Sequence, residues 1–406
     1  MPDSGDLRAA LVSELRKGGT IRTVAVASAF SEVPRELFIP EVAAQGGLEK
    51  VYRDEAHVTK KDSRGMALSS SSQPAMMAEM LELLELEPGH RVLEIGAGTG
   101  YNAALLSRIV GPSGSVVTID VDPDIAARAD RALRDAGAPV DVVVGDGRVA
   151  FPAGAAYDRI VVTASADEIP RAWLEQLRDG GRLIVPMRLD PDGDAIHVIP
   201  VFVRRGQTLR ATGGTSGGFM PLHGGEGVYQ VPIATLSASR HSGGRHEGLI
   251  SLTGSGVERL SNSSARLLLA ALLGSRPRIR AQGSTPLFRD ITPGILIYLM
   301  VKIPAGRRAW IAHSGRHGVA LIDPPGPGVA AVTVPNLWSL PSRAKVSRWR
   351  LEGWGDERAL AELTGMVSAW RALGREHRDQ LEITALPAGE TLRLNFRWAD
   401  RSPLEG

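Results

Sequence analysis

An α/β fold with a parallel sheet and crossover helices, followed by a separate α+β domain, is what this sequence predicts. Three observations carry that expectation. Between Arg91 and Pro186 short apolar runs alternate regularly with amphipathic stretches. The first of these runs, Arg91 to Ile95, breaks into glycines at 96, 98 and 100 ahead of helix-forming residues, the pattern of strand, tight turn and helix. After the glycine-rich stretch Gly213 to Gly227 the alternation stops and the character of the chain changes.

Composition narrows the class. The chain has 406 residues, 43% hydrophobic and 23% charged, which is enough for two domains. No apolar run reaches the ~18 residues of a membrane span, and no basic-then-apolar leader follows Met1. A soluble, cytoplasmic protein with no membrane partner is therefore expected. Lys and Arg total 47 against 45 Asp and Glu, a formal charge of +2 spread evenly, so no nucleic-acid partner is implied. The absence of cysteine excludes disulfides, zinc–thiolate sites and thiol nucleophiles.

From the N-terminus, Leu7, Ala10, Leu11 and Leu15 share one face of a helix over Asp6 to Lys17, and a second packing helix is expected from about Ile21 to Phe30. Pro34 to Pro40, the polar segment from Tyr52 to Gly65, and the serines Ser69 to Ser72 before Gln73-Pro74 are expected as loop. Helical spacing runs from Ala75 to Leu86, and Glu87-Pro88-Gly89 stops it. The alternating core then predicts strands at 91–95, 116–120, 140–144, 157–163 and 182–186, with helices near 101–110, 123–136 and 170–178. Two further strands, 195–204 and about 208–220, lack a helix between them and are expected to pair antiparallel at one edge. A domain of residues 1–228 is thus followed by one of 229–406. The second is expected to hold a helix at 265–273, an apolar strand at Ile295 to Ile303, short strands near 308–312, 318–322 and 329–334, a sharp turn at Pro324 to Gly328, a helix over 356–373, and strands at 380–386 and 391–398.

The glycine turn places backbone where a ligand could lie against it, which is a nucleoside site in outline. Two cofactor classes compete for such a turn at the carboxyl ends of parallel strands. A dinucleotide fingerprint, G-x-G-x-x-G, would need glycine where Tyr101 stands; the turn here is G-x-G-x-G. Glu94 precedes it, and a carboxylate repels a diphosphate but attracts a sulfonium and an ammonium. Asp120 ends the second strand, where it could take both ribose hydroxyls, and Asp146 in Gly145-Asp146-Gly147 could accept from an adenine amine. Each acid alone also fits a helix N-cap or turn. The three together favour S-adenosylmethionine.

Several blocks now carry a resemblance: Pro34-Arg35-x-x-Phe38-Ile39-Pro40, Tyr52-Arg53-Asp54, Ser72-Gln73-Pro74, Val92 to Tyr101, Gly145-Asp146-Gly147, Tyr157 to Ala164, Gly180 to Pro186 and Phe219-Met220-Pro221-Leu222. Over roughly residues 6 to 224 the chain resembles the protein-L-isoaspartate (D-aspartate) O-methyltransferase family. It departs from the family pattern at Ala150, where glycine is favoured, at Ala156, where proline is favoured, and at Ser70-Ser71-Ser72, where typical members read Thr-x-Ser. The resemblance implies a Rossmann-like class I S-adenosylmethionine methyltransferase sheet and the product S-adenosylhomocysteine. It implies Ser72, helped by Ser70, at the acceptor site. For the cofactor it implies Glu94, the turn Gly96, Ala97, Gly98, Thr99, Gly100 and Tyr101, then Asp120, Val121, Asp146 and Gly147. No metal is expected: His241 with His246, and His313 with His317, sit in segments without convergent carboxylates. The tryptophans at 310, 338, 354, 370 and 398 are expected in the second domain's core.

The implied chemistry is esterification of an Asp or isoAsp carboxylate in a peptide or protein. Such an acceptor, with a pKa of about 4, is already ionised and needs no general base. Its neutral ester is open to attack by the next backbone amide, giving an aspartimide. The long C-terminal extension resembles that of members that tailor ribosomally made peptides, which makes tailoring the favoured expectation and recognition of a constrained peptide through loops such as Asn336-Leu337-Trp338 a corollary. General isoaspartyl repair, a stabilising or dimerising role for the extension, and a catalytically silent peptide-binding scaffold are the alternatives.

Overall fold

The computed structural model describes residues 3–63, 65, 67–188, 197–220, 222, 235–242, 245–253, 257, 260–274, 277–288, 292–304, 307–313, 316–323, 328–335, 346–372 and 381–398. The chain divides into two compact units, Met1–Met187 with Val198–Tyr229 and Glu382–Asn395, and Arg188–His197 with Gln230–Leu381 and Phe396–Gly406.

In the first unit three helices come first: α1 Ser4–Lys17, α2 Val24–Glu32 and α3 Pro40–Val51. Asp3 caps α1 by accepting the Asp6 N–H at 2.8 Å. Between α2 and α3, Arg35–Leu37 make a single 3-10 turn. Helix α3 was not expected, because Gly46-Gly47 breaks its apolar pattern; Gly47 has φ +72° inside it. The segment expected as loop is instead an antiparallel hairpin, β1 His57–Lys61 with β2 Ala67–Ser71, in which Ser70 pairs with Val58 and Ser71 with His57. Ser69, Ser70 and Ser71 therefore lie along a strand, and Ser72 follows directly after its end. Serine has weak strand preference, so only the pairing partner reveals the extended state.

Helix α4 (Pro74–Leu84) then leads into the sheet through β3 Arg91–Ile95, α5 Tyr101–Val110, β4 Ser115–Asp120, α6 Pro123–Asp135, β5 Asp141–Val144, β6 Tyr157–Val162, β7 Ile169–Pro170, α7 Arg171–Gln176 and β8 Leu177–Ile184. β9 Met187–Arg188, β10 His197–Arg205 and β11 Thr208–Ser216 complete this stretch. The order is β5-β4-β3-β6-β8, all parallel, continued by antiparallel β10 and β11. The apolar residues of β3 and β6 are buried on both faces of the sheet; Leu93, Ile160 and Val161 are wholly buried. Ala150, where the resemblance expects glycine, takes φ +55°, the left-handed region that favours glycine.

Two expectations about the first sheet are corrected. The pair β10–β11 is not the edge, and the division at 228/229 does not hold at the C-terminal end. β20 Leu381–Ala388 pairs with β11 (Leu209 with Ala385), and β21 Thr391–Trp398 pairs with β7. The hairpin assigned by position to the second domain thus extends the first sheet, because an open β11 edge offers unpaired backbone groups that only another strand satisfies.

The second unit holds an eight-stranded antiparallel sheet, β12 Thr235–Ser242, β13 Arg245–Thr253, β14 Arg278–Phe288, β15 Thr292–Pro293, β16 Arg308–His313, β17 Arg316–Asp323, β18 Gly328–Pro335 and β19 Val346–Trp354, in the order β12-β13-β16-β17-β18-β19-β14-β15. Its helices are α8 Asn262–Gly274, α9 Gly294–Lys302 and α10 Glu357–Ala372. α9 corrects the apolar strand expected at 295–303. Its buried residues Ile295, Leu296, Tyr298, Leu299 and Ile303 follow helical spacing, and a short apolar run does not distinguish a buried helix from a buried strand. Trp354 and Trp370 are core residues as expected, with Trp370 edge-on to Trp349 at 6.4 Å. Residues 324–327 and Asn336-Leu337-Trp338 lie outside the described residues. Among the described residues no group of His, Cys, Asp or Glu could hold a metal ion, and no helix is long and apolar enough to cross a membrane.

One carboxylate ties the start of α2 to the sheet domain. Glu82 on α4, 8% exposed, accepts the Arg22 and Thr23 N–H groups at 2.8 Å and the Thr23 hydroxyl at 3.1 Å. Glu82→Ala leaves these donors unpaired and is expected to destabilise the first unit by about 2–4 kcal/mol, with Glu82→Gln much milder. Urea denaturation of the two variants checks this; equal midpoints would refute it.

Candidate active site

The site begins where β3 and β4 end. Gly96 and Ala97 donate their N–H groups to the Ile119 carbonyl at 2.8 and 3.1 Å, and Gly98 donates to Asp120 Oδ2 at 3.1 Å. The turn is thus folded onto the end of β4. Gly96, at φ +100°, leaves no room for a side chain: a Cβ would sit 2.4 Å from Thr163 Oγ1, which itself donates to the Gly96 carbonyl at 2.7 Å. At Gly98, φ +53°, a Cβ would come within 3.4 Å of the Ser70 carbonyl. Glycine here lets the serine strand cross close above the turn.

Under the turn lies Glu94, with no exposed surface. Asn102 Nδ2 donates to its Oε1 at 2.7 Å and Thr118 Oγ1 to its Oε2 at 2.6 Å. Burial pushes the Glu94 carboxyl up to about 7, against the pull of these two donors, and the neighbouring Asp120 charge adds to the rise. Burial likewise raises Asp120, opposed by the N–H groups of Asp122 and Gly98.

These residues line a cavity of about 530 Å³, within the range of small-molecule sites. Glu94, Gly96, Ala97, Gly98, Thr99, Asp120, Val121 and Gly147 are on its wall, and so are Ser70 and Ser72. Most of the expected cofactor residues and both expected acceptor serines therefore line one chamber. Its other walls were not expected as site residues: Lys60 from β1, which holds Asp122 Oδ2 at 2.6 Å, Asn102 from α5, Met76, and Phe219, Met220 and Leu222 from a block that carries the resemblance. Only Asn102 and Asp122 carried a local signal, as polar residues in the first turn and at the N-cap of the helices that follow β3 and β4.

Three expected residues stand off this wall. Tyr101 is 1% exposed and off the wall, its ring edge-on to Phe30 at 6.2 Å and tilted on Phe38 at 5.5 Å. Its large apolar face fixes α5 against the N-terminal helices, so it excludes a dinucleotide glycine without touching a ligand. Gly100 faces α6, where a Cβ would stand 3.2 Å from Leu133 Cγ. Asp146 is also off the wall: both of its oxygens accept from Arg148, at 2.6 to 3.0 Å, and that guanidinium holds its carboxyl below the usual range. At the N-terminus of α4, Asp54 Oδ1 accepts the Ala75 N–H at 2.7 Å.

The donor set tests the cofactor class. Three N–H groups of the glycine turn are engaged by Ile119 and Asp120, so the turn offers no cradle for a diphosphate. Four carboxyls, Glu94, Asp120, Asp122 and Asp124, stand on the wall instead; Lys60 pairs with the last two, and Glu94 and Asp120 are left to suit a nucleoside carrying positive charge.

Comparison with known proteins gives the same answer. The family model described as protein-L-isoaspartate(D-aspartate) O-methyltransferase matches residues 6–226. The protein-L-isoaspartate O-methyltransferase of Methanopyrus kandleri is 42% identical over 184 residues, 44% of this chain and 76% of that protein. That of Ignicoccus hospitalis is 38% identical over 195 residues, 47% of this chain and 85% of that protein. A solved structure of a protein-L-isoaspartate O-methyltransferase aligns with 96% of this chain and 99% of its own, at 26% identity and a TM-score of 0.53. A parallel sheet, a glycine turn folded onto two acids and a serine strand above it therefore place this chain in the protein-L-isoaspartate(D-aspartate) O-methyltransferase family, as an S-adenosyl-L-methionine-dependent enzyme.

Proposed function

We propose that this enzyme methylates the free carboxylate of an isoaspartyl residue in a polypeptide, the first step of isoaspartyl repair. One observation carries the reading: Ser70 and Ser72 line the same cavity as Glu94 and Asp120, with the serine strand directly over Gly98. When bound, S-adenosyl-L-methionine supplies an electrophilic methyl group on a sulfonium. Glu94 and Asp120 supply the compensating negative charge. The acceptor is ionised at neutral pH and needs no base, so the side chains beside it need only be neutral donors that hold it without quenching it. Ser70 and Ser72 are such donors, and no described residue occupies the Ser72 hydroxyl. The apolar walls of Met76, Phe219, Met220 and Leu222 keep water from the reacting pair. The ester formed loses methanol when the next backbone nitrogen attacks it, and hydrolysis of the resulting succinimide returns aspartate and isoaspartate.

Tailoring of a ribosomally made peptide is the second reading. It rested on the C-terminal extension. The solved isoaspartyl methyltransferase that aligns with 96% of this chain lends that extension equally to a general isoaspartyl enzyme, so the repair reading is the better supported.

Mass spectrometry of an isoaspartyl peptide, its aspartyl twin and a constrained Asp peptide, each with enzyme and S-adenosyl-L-methionine, is expected to show methyl gain on the isoaspartyl peptide. Methylation of the constrained peptide alone would overturn repair in favour of tailoring. Ser72→Ala is expected to lower kcat/KM for the isoaspartyl peptide about 10- to 100-fold, the ~1.5–3 kcal/mol of a hydrogen bond to a charged group.

Glu94 adds a pH dependence. Its folded pKa, about 7, lies above the ordinary 4.5, so the free enzyme's stability from this group is fully present below about pH 4.5 and is lost as pH rises through 7. A cationic cofactor favours the ionised form, so S-adenosyl-L-methionine binds more weakly as pH falls from 8 to 6, while S-adenosylhomocysteine, which lacks the sulfonium charge, changes less. Calorimetric titration across that range checks it. Glu94→Gln is expected to flatten the profile; an unchanged slope in that variant would assign the dependence elsewhere.

A further inference from the structure

We propose that Arg35 and Asp54 form a clamp that positions Ser72 for the acceptor, a role that rests on the acceptor reading of Ser72 given above. Two sequence blocks, Pro34-Arg35 and Tyr52-Arg53-Asp54, contribute no residue to the cavity wall. They meet behind it. Arg35 has no exposed surface. Its Nη1 donates to the Val51 and Arg53 carbonyls at 2.9 and 3.1 Å, and its Nη2 to the Glu55 carbonyl at 3.0 Å, the Ser71 hydroxyl at 3.3 Å and the Ser72 carbonyl at 3.1 Å. Asp54, between those carbonyls, reaches the other side of the same junction: Oδ2 accepts from Gln73 Nε2 at 2.8 Å and Oδ1 from the Ala75 N–H at 2.7 Å. Residues 71 and 72 are thus held by the cation, and 73 and 75 by the anion.

The physical design favours placement over stability. A buried guanidinium met by carbonyl and hydroxyl oxygens is costly to desolvate, and apolar packing would stabilise this spot at less cost. What the polar arrangement supplies is direction: planar, forked donors fix several oxygens at once. The Arg35 guanidinium also stands 5.8 Å from the Tyr101 ring centroid, whose helix begins at the end of the glycine turn, so the serine junction is registered against the cofactor loop. Arg35 takes the Ser71 hydroxyl and Thr59 takes that of Ser69. The Ser72 hydroxyl is left to the cavity while its main chain is held.

The test uses the full chain, the isoaspartyl peptide and four variants: Arg35→Lys, Arg35→Met, Asp54→Asn and Ser72→Ala. A misplaced acceptor donor is expected to lower kcat/KM for the peptide about 10- to 100-fold in Arg35→Met and Asp54→Asn, less in Arg35→Lys. S-adenosylhomocysteine affinity by calorimetry should stay within about twofold of the parent, since that end of the cavity is built by other residues. If the Arg35 variants do not fold, Asp54→Asn alone decides. The inference is overturned if Ser72→Ala is impaired while folded Arg35→Lys and Asp54→Asn keep parental kinetics, or if their activity and S-adenosylhomocysteine affinity fall together. Parental kinetics in Ser72→Ala would overturn the acceptor reading, and this inference with it.

Discussion

The hydrogen bond from the Gly98 N–H to Asp120, with those from Gly96 and Ala97 to the Ile119 carbonyl, is the constraint on which the site depends. Together they join the ends of two adjacent strands, and they use up donors that in a phosphate-binding turn would face the ligand. The same fold of the turn keeps carboxyls on the wall and makes room above Gly98 for another strand. A site for a cation and a site for an anion differ here by where three N–H groups point.

The strand that uses that room belongs to no larger sheet. β1 and β2 pair only with each other, so their position comes from contacts at either end: Lys60 to Asp122 and Asp124 on one side, Arg35 and Asp54 on the other. Polar bonds with fixed direction hold an element that apolar packing alone would leave free to slide.

The parallel core was legible because its central strands carry buried apolar residues and local signals bound its elements. Pro88-Gly89 ahead of β3 and Asp122-Pro123 at the head of α6 are local signals with local causes. Glu94, Asp120, the first glycines of the turn, Ser70 and Ser72 were legible as chemistry, and the cavity brings them together. Tyr101 was legible as the residue that excludes a dinucleotide, yet its ring serves the helical core. Asp146 sits at the right end of a strand, yet Arg148 two residues on takes it. Neither outcome is visible in spacing, since each depends on which of two partners is nearer in space.

What the sequence determined by itself is the alternating order of the parallel core and the class of cofactor, because periodicity, turn glycines and charge are properties of short stretches. What only the tertiary structure decided is the strand state of the serines, the helix at 294–302, and the return of residues 381–398 to the first sheet. Each of these is set by a partner far along the chain: β1 for the serines, burial on a helical face for α9, and the open edge of β11 for the last hairpin. A backbone group must be paired, but its own sequence does not say with what.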